Sequence, residues 1–407
     1  MTHAPASEAT TGTGHRSRPR GVLPALCATQ ITSWGIVYYA FPVLLPRITA
    51  DTGWSAGTTT GAFSMALLVS AVAGIPVGRI LDRRGPHAVM TGGSLLAVLA
   101  VLSVSAAPNL AVFFAAWTAA GAAMAATFYQ PAFAAVTRWW GADRVRALTV
   151  ITLAGGLAST VFAPLTAALA EHLSWRATYA VLAAILAFVT IPAHALALRA
   201  PWPAAPVEAR DRAATPQADH VTRTRPFLLL GAAFTLSGFA MHAVVFGLVP
   251  LLTERGASAA TAAWALGLGG AGQTLGRTLY ATLARRTGAM TRTTLLIAAG
   301  GATTAAFALV PGPIPLLIGI AVLAGVVRGN LTLLQATAVS DRWGTRHYAR
   351  LSALLAAPAT FAAALAPWAG AVLASALGGQ TGLFGVLALI SFTAAVLAAC
   401  ARYRRKA

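Results

Sequence analysis

Two arginines stand where charge is expensive. Arg328 lies fourteen residues into an apolar run that starts near residue 314, and Arg277 lies within another, 258–284. An ionisable group in such surroundings is costly unless it faces a cavity or a partner, so both are functional candidates. A guanidinium presents a planar fork of donors that fits a carboxylate or phosphate. No acid is placed to meet them: Glu8, Asp51, Asp82, Asp143, Glu171, Glu208, Asp211, Asp219, Glu254 and Asp341 all fall in loops, tails or the ends of apolar runs. An anionic substrate would supply the charge that the chain lacks. Arg277 is eight residues, roughly 12 Å at helical rise, from Arg285, so stretching to a polar surface stays open as its second reading.

Further candidates lie near the middle of other apolar runs. His242 titrates near neutrality and could carry a coupled proton, or it is a neutral core histidine bonded to a carbonyl or hydroxyl. Tyr38, Tyr39, Gln30, Tyr129, Gln130, Asn330 and Gln335 could line one cavity, or make the hydrogen bonds that pack helices together. Gly267, Gly269, Gly270, Gly272, Gly276 and Gly329 read as close helix contacts. His194 is nearer the end of its run and is no candidate.

The elements that must position these groups follow from composition. The 407 residues are 57% hydrophobic and 10% charged, against roughly 25% charged in a soluble domain, so the chain belongs in a bilayer. About 20 apolar residues span a membrane as a helix. Pro, Gly and charge clusters divide the chain into twelve such spans, near 21–49, 57–80, 87–106, 109–136, 146–170, 175–198, 226–252, 258–284, 291–310, 314–340, 347–374 and 381–402. Residues 1–20 read as a cytoplasmic tail, 199–225 as a cytoplasmic linker rich in Pro and charge, and 403–407 as a second tail. The bundles are then 21–198 and 226–402.

The net charge of +19 fits this topology. If the N-terminus is cytoplasmic, all but five of the 29 Lys and Arg fall in cytoplasmic segments; the five are Arg47, Arg176 and Arg255 outside, and Arg277 and Arg328 within spans. The positive charge therefore marks orientation, with both termini cytoplasmic, and gives no ground for a nucleic-acid partner. Cys27 and Cys400 lie near opposite chain ends, which excludes a disulfide framework, a zinc site and a haem motif. No nucleotide-binding loop, metal-ligand cluster or nucleophile constellation appears, so neither ATP-driven pumping nor an enzyme is expected, and no cofactor.

Sliding the chain by 203 residues pairs Gly53 with Gly256, Ser55 with Ser258, Arg83 with Arg286, Gly85 with Gly288, Pro108 with Pro311, Trp140 with Trp343, Leu148 with Leu351 and Pro164 with Pro367. Tyr39 falls opposite His242. Two six-helix halves of like topology enclose a cavity at mid-membrane and can open it alternately to each side. Transport is the expected function, and a non-transporting membrane receptor or scaffold is the alternative of another class.

Between the second and third spans stands Gly78-Arg79-Ile80-Leu81-Asp82-Arg83-Arg84-Gly85. Gly85 supplies a tight turn, and Asp82 is a membrane-edge carboxylate that can pair with Arg or a helix N-terminus. The loop resembles the signature loop of the major facilitator superfamily. That resemblance implies the superfamily's all-α fold of twelve transmembrane helices in two pseudo-symmetric bundles, and a latch between the halves at Gly78, Asp82, Arg83 and Gly85. A solvated turn explains the arginines equally well. The matching loop of the second half has Arg285 where Asp82 would fall.

Tyr38-Tyr39-Ala40-Phe41-Pro42, Asp51-Thr52-Gly53-Trp54-Ser55, Tyr129 to Phe133, Arg138-Trp139-Trp140 and Trp175-Arg176 extend the likeness to the monocarboxylate transporter and oxalate/formate antiporter branch. In the eighth span, monocarboxylate transporters carry Asp and Arg four apart, for proton coupling and carboxylate binding. Gln273 and Arg277 occupy those places here, so the cation is present and the acid is not. The expectation is a monomeric secondary transporter in the cell membrane that moves a small organic anion, of the monocarboxylate kind, by proton symport or anion exchange. Efflux of a drug or natural product is the alternative transport reading.

Overall fold

The computed structural model describes residues 19, 21–140, 143–202, 221–343 and 348–401. The expected tails, apart from residue 19, and the middle of the expected linker lie outside these residues. The described chain is almost wholly helical, with no strand among the described residues. Twelve spans form two bundles of six. Span 1 is Val22–Trp34, Gly35–Tyr39 and Ala40–Thr52; span 2 Ala56–Arg84; span 3 Pro86–Ala106. Span 4 is Leu110–Thr127 with Tyr129–Trp140, span 5 Arg144–Gly156 with Ala158–His172, and span 6 Trp175–Ala197. Spans 7 to 12 are Arg225–Glu254, Ala259–Arg286, Ala289–Leu309, Ile314–Trp343, Tyr348–Ala376 and Gln380–Cys400.

Among the described residues, nine helices are long and apolar enough to cross a membrane. Spans 1, 8 and 9 are not among those nine: the first is broken in three, and glycines, Gln273 and Arg277 dilute the eighth. The outer surface is apolar, with Phe188 83% and Leu389 68% exposed, as suits side chains facing lipid.

The loops gather at two ends. One is rich in arginine, holding residues 79–84, 138–140, 143–146, 199, 285–292 and 342. At the opposite end the repeat is visible turn by turn. Gly53 and Gly256 both take a left-handed φ, of 71° and 86°, a conformation that glycine adopts freely. Ser55 and Ser258 then cap spans 2 and 8, their hydroxyls accepting from Thr58 N–H at 3.0 Å and Thr261 N–H at 3.1 Å. The carbonyls of Ala107 and Val310, 203 residues apart, each accept from an arginine, but from different places. Arg176 at the start of span 6 serves Ala107 at 3.0 Å, and Arg255 at the end of span 7 serves Val310 at 2.7 Å. Arg176 also pairs with Asp51 at 2.7 Å, and the Trp175 indole donates to the same carboxylate at 2.8 Å. The motif residues Asp51, Trp175 and Arg176 thus tie spans 1, 3 and 6 together.

The breaks within spans have local causes. Pro131 clashes with the carbonyl four residues back, so span 4 parts at Thr127 and Phe128. The Gln30 amide donates to that freed Thr127 carbonyl at 2.7 Å, which makes Gln30 a packing residue. Span 5 breaks after Gly155 and Gly156. Spans 8 and 10 touch backbone to backbone: a Cβ on Gly272, Gly276, Gly325 or Gly329 would overlap a main-chain carbonyl of the other helix. The expectation of close helix contacts holds there.

Candidate functional site

A cavity of about 670 Å³ opens between the halves. Trp34, Tyr38, Phe128 and Tyr129 form an aromatic wall from spans 1 and 4, facing the alanine-rich stretch of span 11 around Ala353 to Ala364. Spans 2 and 11 meet near the opposite end, where the Trp368 N–H donates to Ser64 Oγ at 3.1 Å and a Cβ on Gly57 would lie 3.3 Å from Val372. From Leu67 to Ile75 span 2 instead lines the cavity. The cavity therefore opens toward the arginine-rich end. Its roof is a ring cluster in which Phe246 of span 7 lies 5.3 Å from Tyr38 and 5.0 Å from Phe63, shutting out the opposite face.

Arg328 sits within electrostatic reach of Tyr38 and His242, which both line that cavity. Arg328 also lines a compartment of about 50 Å³ inside the second half, which Ser237, Thr303, Thr304 and Ser391 line with it. Its Nε and Nη2 are buried and have no hydrogen-bond partner. These two nitrogens form one edge of the fork, the edge that grips both oxygens of a carboxylate. An unmet buried donor of this kind costs about 1–3 kcal/mol, more when charged.

Arg277 has a different setting. Its Nη1 donates across to the Thr152 carbonyl of span 5, and its guanidinium packs where a Cβ on Gly156 would be 3.0 Å away. The Tyr129 hydroxyl is its side-chain partner, while Nε is unmet. The snorkelling alternative does not describe this pose, because the side chain turns inward to span 5.

The other candidates divide. Tyr39 packs on Tyr38 at 5.0 Å between ring centres and lies within electrostatic reach of Tyr129. His242 bonds through Nδ1 to the Gly238 carbonyl at 2.8 Å and lines both the large cavity and an adjoining one of about 230 Å³, which Gln335 also lines. Gln130 lines the large cavity too. Gln273 is buried with its Oε1 unmet, and Asn330 turns back to the Val326 carbonyl of its own helix at 2.9 Å. His194 is wholly buried between Ser94 and Thr29. Phe246, Thr152 and Gly156 were not singled out by the sequence; for Gly156, the Gly155-Gly156 pair was a signal in plain sight.

In the loop after span 2, Gly85 takes φ 77° and lies against Trp202, where a Cβ would come to 3.0 Å, so two constraints demand glycine. Asp82 pairs with Arg138 at 2.8 Å, and its carbonyl accepts from the Trp202 indole at 3.3 Å. Arg138 belongs to the first half and Trp202 to the start of the expected linker. Arg83 is exposed, and Gly78 faces open space. At 203 residues on, the signs exchange: Arg285 matches Asp82 and Asp341 matches Arg138. Asp341 pairs there with Arg292. Among the described residues no three His, Cys, Asp or Glu side chains gather as metal ligands do.

The family model of the Major Facilitator Superfamily matches residues 26–314. The chain belongs to that superfamily. It is a membrane transporter of small molecules and not an enzyme. Solved structures of the superfamily share the fold. A bacterial homologue of the human lysosomal transporter Spinster, in an inward-facing, unoccupied conformation, superposes with TM-score 0.74 at 15% identity, covering 95% of this chain and 96% of that one. The nucleoside transporter NupG, in a mutant form, gives TM-score 0.76 at 14% identity, covering 93% and 98%. Among curated proteins, Monocarboxylate transporter 13 of Bos taurus is 29% identical over 163 residues, 40% of this chain and 36% of that protein. An uncharacterized 38 kDa protein from Thermoproteus tenax is 28% identical over 134 residues, 33% of this chain and 36% of that protein. The matches thus span about a third of each curated relative.

Proposed function

We propose that this superfamily member is a secondary transporter for an organic anion of the carboxylate kind, coupled to proton symport or to exchange of another anion. The observation that carries this reading is the buried, unmet Nε–Nη2 edge of Arg328 beside the cavity. A carboxylate would satisfy both donors and offset the cost of burying them without a protein partner. Arg277, at the Tyr129 wall, adds positive potential across the cavity. The partial likeness to Monocarboxylate transporter 13 agrees with this substrate class. With Nδ1 of His242 engaged by Gly238, Nε2 is the nitrogen left for a coupled proton.

The arrangement of arginines favours cytoplasmic termini in the cell membrane, with 199–225 a cytoplasmic linker between bundles 21–198 and 226–402, acting as a monomer. The cavity would then face the cytoplasm. Counterflow of labelled carboxylates in proteoliposomes tests the substrate class. Arg328→Ala should lower exchange at least about a hundredfold without loss of folded protein, and Arg328→Lys should recover little because the fork is gone. Wild-type exchange in Arg328→Ala would sink the assignment. Export of a drug or natural product is the second reading, favoured by the width of the apolar cavity; accumulation of such a compound, with no carboxylate exchange, would establish it.

A further inference from the structure

The two compartments near Arg328 differ in size and in lining. The one that Arg328 itself lines holds about 50 Å³, room for a carboxylate head but little more. The neighbouring cavity holds about 670 Å³, within the roughly 300–1,000 Å³ of clefts that enclose drug-sized ligands. An acid of two to four carbons has four to six heavy atoms and, at about 10–15 Å³ of such space for each, takes under about 100 Å³, which leaves most of the cavity to solvent.

The lining says what belongs in that space. Trp34 stacks on Phe128 at 4.1 Å and leans on Tyr129 at 5.1 Å, giving one continuous aromatic surface. Across from it, Ala353, Ala356, Ala357, Ala363 and Ala364 set most of the span 11 wall back, because a methyl group fills almost nothing, while Thr360 and Phe361 are its larger side chains. Aromatic face on one side and a largely alanine wall bearing one further ring on the other make a slot for a flat apolar body. Among the described residues no Asp or Glu lines the cavity, and two cations act on its wall, Arg328 on Tyr38 and His242, and Arg277 on Tyr129.

Resting on the anion reading above, we infer that the substrate is a bulky amphipathic carboxylate. Its anionic head sits on Arg328, and an aromatic or comparably broad apolar body fills the slot between the Trp34–Phe128–Tyr129 wall and span 11. Short aliphatic acids are poor ligands of this site.

Two axes of ligand separate this inference from the reading beneath it. Binding to the purified wild-type protein, followed by the fluorescence of its tryptophans and by calorimetry, is measured for acetate, butyrate, benzoate and 2-naphthoate, and for 2-naphthamide. Affinity should rise along the acids, with 2-naphthoate at least about tenfold tighter than butyrate, and 2-naphthamide should lose about tenfold or more. Ala357→Phe, which fills the slot, should weaken 2-naphthoate at least about tenfold more than it weakens butyrate. Butyrate binding as tightly as 2-naphthoate, with dependence on Arg328, overturns the bulky body and leaves the anion reading in place. Equal binding of 2-naphthamide and 2-naphthoate overturns the anion reading and keeps the slot. Absence of binding by every compound at millimolar concentration overturns both.

Discussion

Two of the helix pairs that join the halves, spans 5 and 8 and spans 2 and 11, occupy matching positions of the repeat. Spans 5 and 8 stay together through their middle: Thr160 donates to the Gly267 carbonyl at 2.8 Å, a Cβ on Gly270 would lie 2.9 Å from Thr160 Oγ1, and Arg277 reaches Thr152. Spans 2 and 11 begin alike, with Ser64, the counterpart of Gly267, against Trp368. They then part. The counterparts of Gly270, Thr274 and Arg277 are Leu67, Ala71 and Gly74, and all three line the open cavity. Where the shut pair carries an arginine, the open pair carries no side chain. The side on which the cavity opens follows from residues that the two halves do not share.

The comparison can be broken most sharply at Gly270. Gly270→Val places branched carbon against Ser159 and Thr160, and overpacking of this kind costs about 1–3 kcal/mol. Exchange in proteoliposomes should fall about five- to a hundredfold, the factor that this cost implies. Undiminished exchange would show that spans 5 and 8 need not close. Next is Arg277→Ala, which makes the shut pair resemble the open one. A charge-assisted hydrogen bond is worth about 1.5–3 kcal/mol, so the population with spans 5 and 8 apart should rise about ten- to a hundredfold. Spin labels at Arg146 and Thr282 would read that separation, and an unchanged distance distribution would assign the seam to the glycines alone. The smallest effect is expected from Asp82→Asn. Its ion pair with Arg138 is solvent-exposed and lies within one half, so about 0.2–1 kcal/mol of stability is at stake. A shift in melting temperature of a few degrees or less should accompany little change in the opening of spans 2 and 11; a large change would restore Asp82 as a latch between halves.

Much of this frame is legible in the chain. Charge placement, the 203-residue repeat and the turn glycines led to twelve helices, and the glycines of span 8 foretold its backbone contact with span 10. Span ends were read short where arginines continue a helix, as in span 2, which runs to Arg84 and not to residue 80. The site was only partly readable. Depth within a span picks out both Arg277 and Arg328, Arg328 being the deeper, but hydropathy has no direction around the helix axis. Only packing distinguishes the arginine tied to Thr152 from the one with an unmet edge. Asn330 and Gln30 show the converse: the amide N–H of a polar side chain at mid-span can be spent on its own helix or its neighbour.

The short segment Gly35–Tyr39 of span 1 is a π-helix, in which the Ala40 N–H reaches back five residues to the Gly35 carbonyl. The matching stretch of span 7 is an unbroken α-helix, and there the Gly238 carbonyl accepts from the His242 ring. One extra residue in a turn rotates all that follows by about 100°. Span 1 therefore holds two registers on one axis: before the segment, Gln30 is keyed to span 4; after it, Asp51 is keyed to span 6. A one-residue deletion at Val37 would cancel the offset and set the two keys out of phase, so the first helix behaves as a coupling whose angle is fixed by a single residue count.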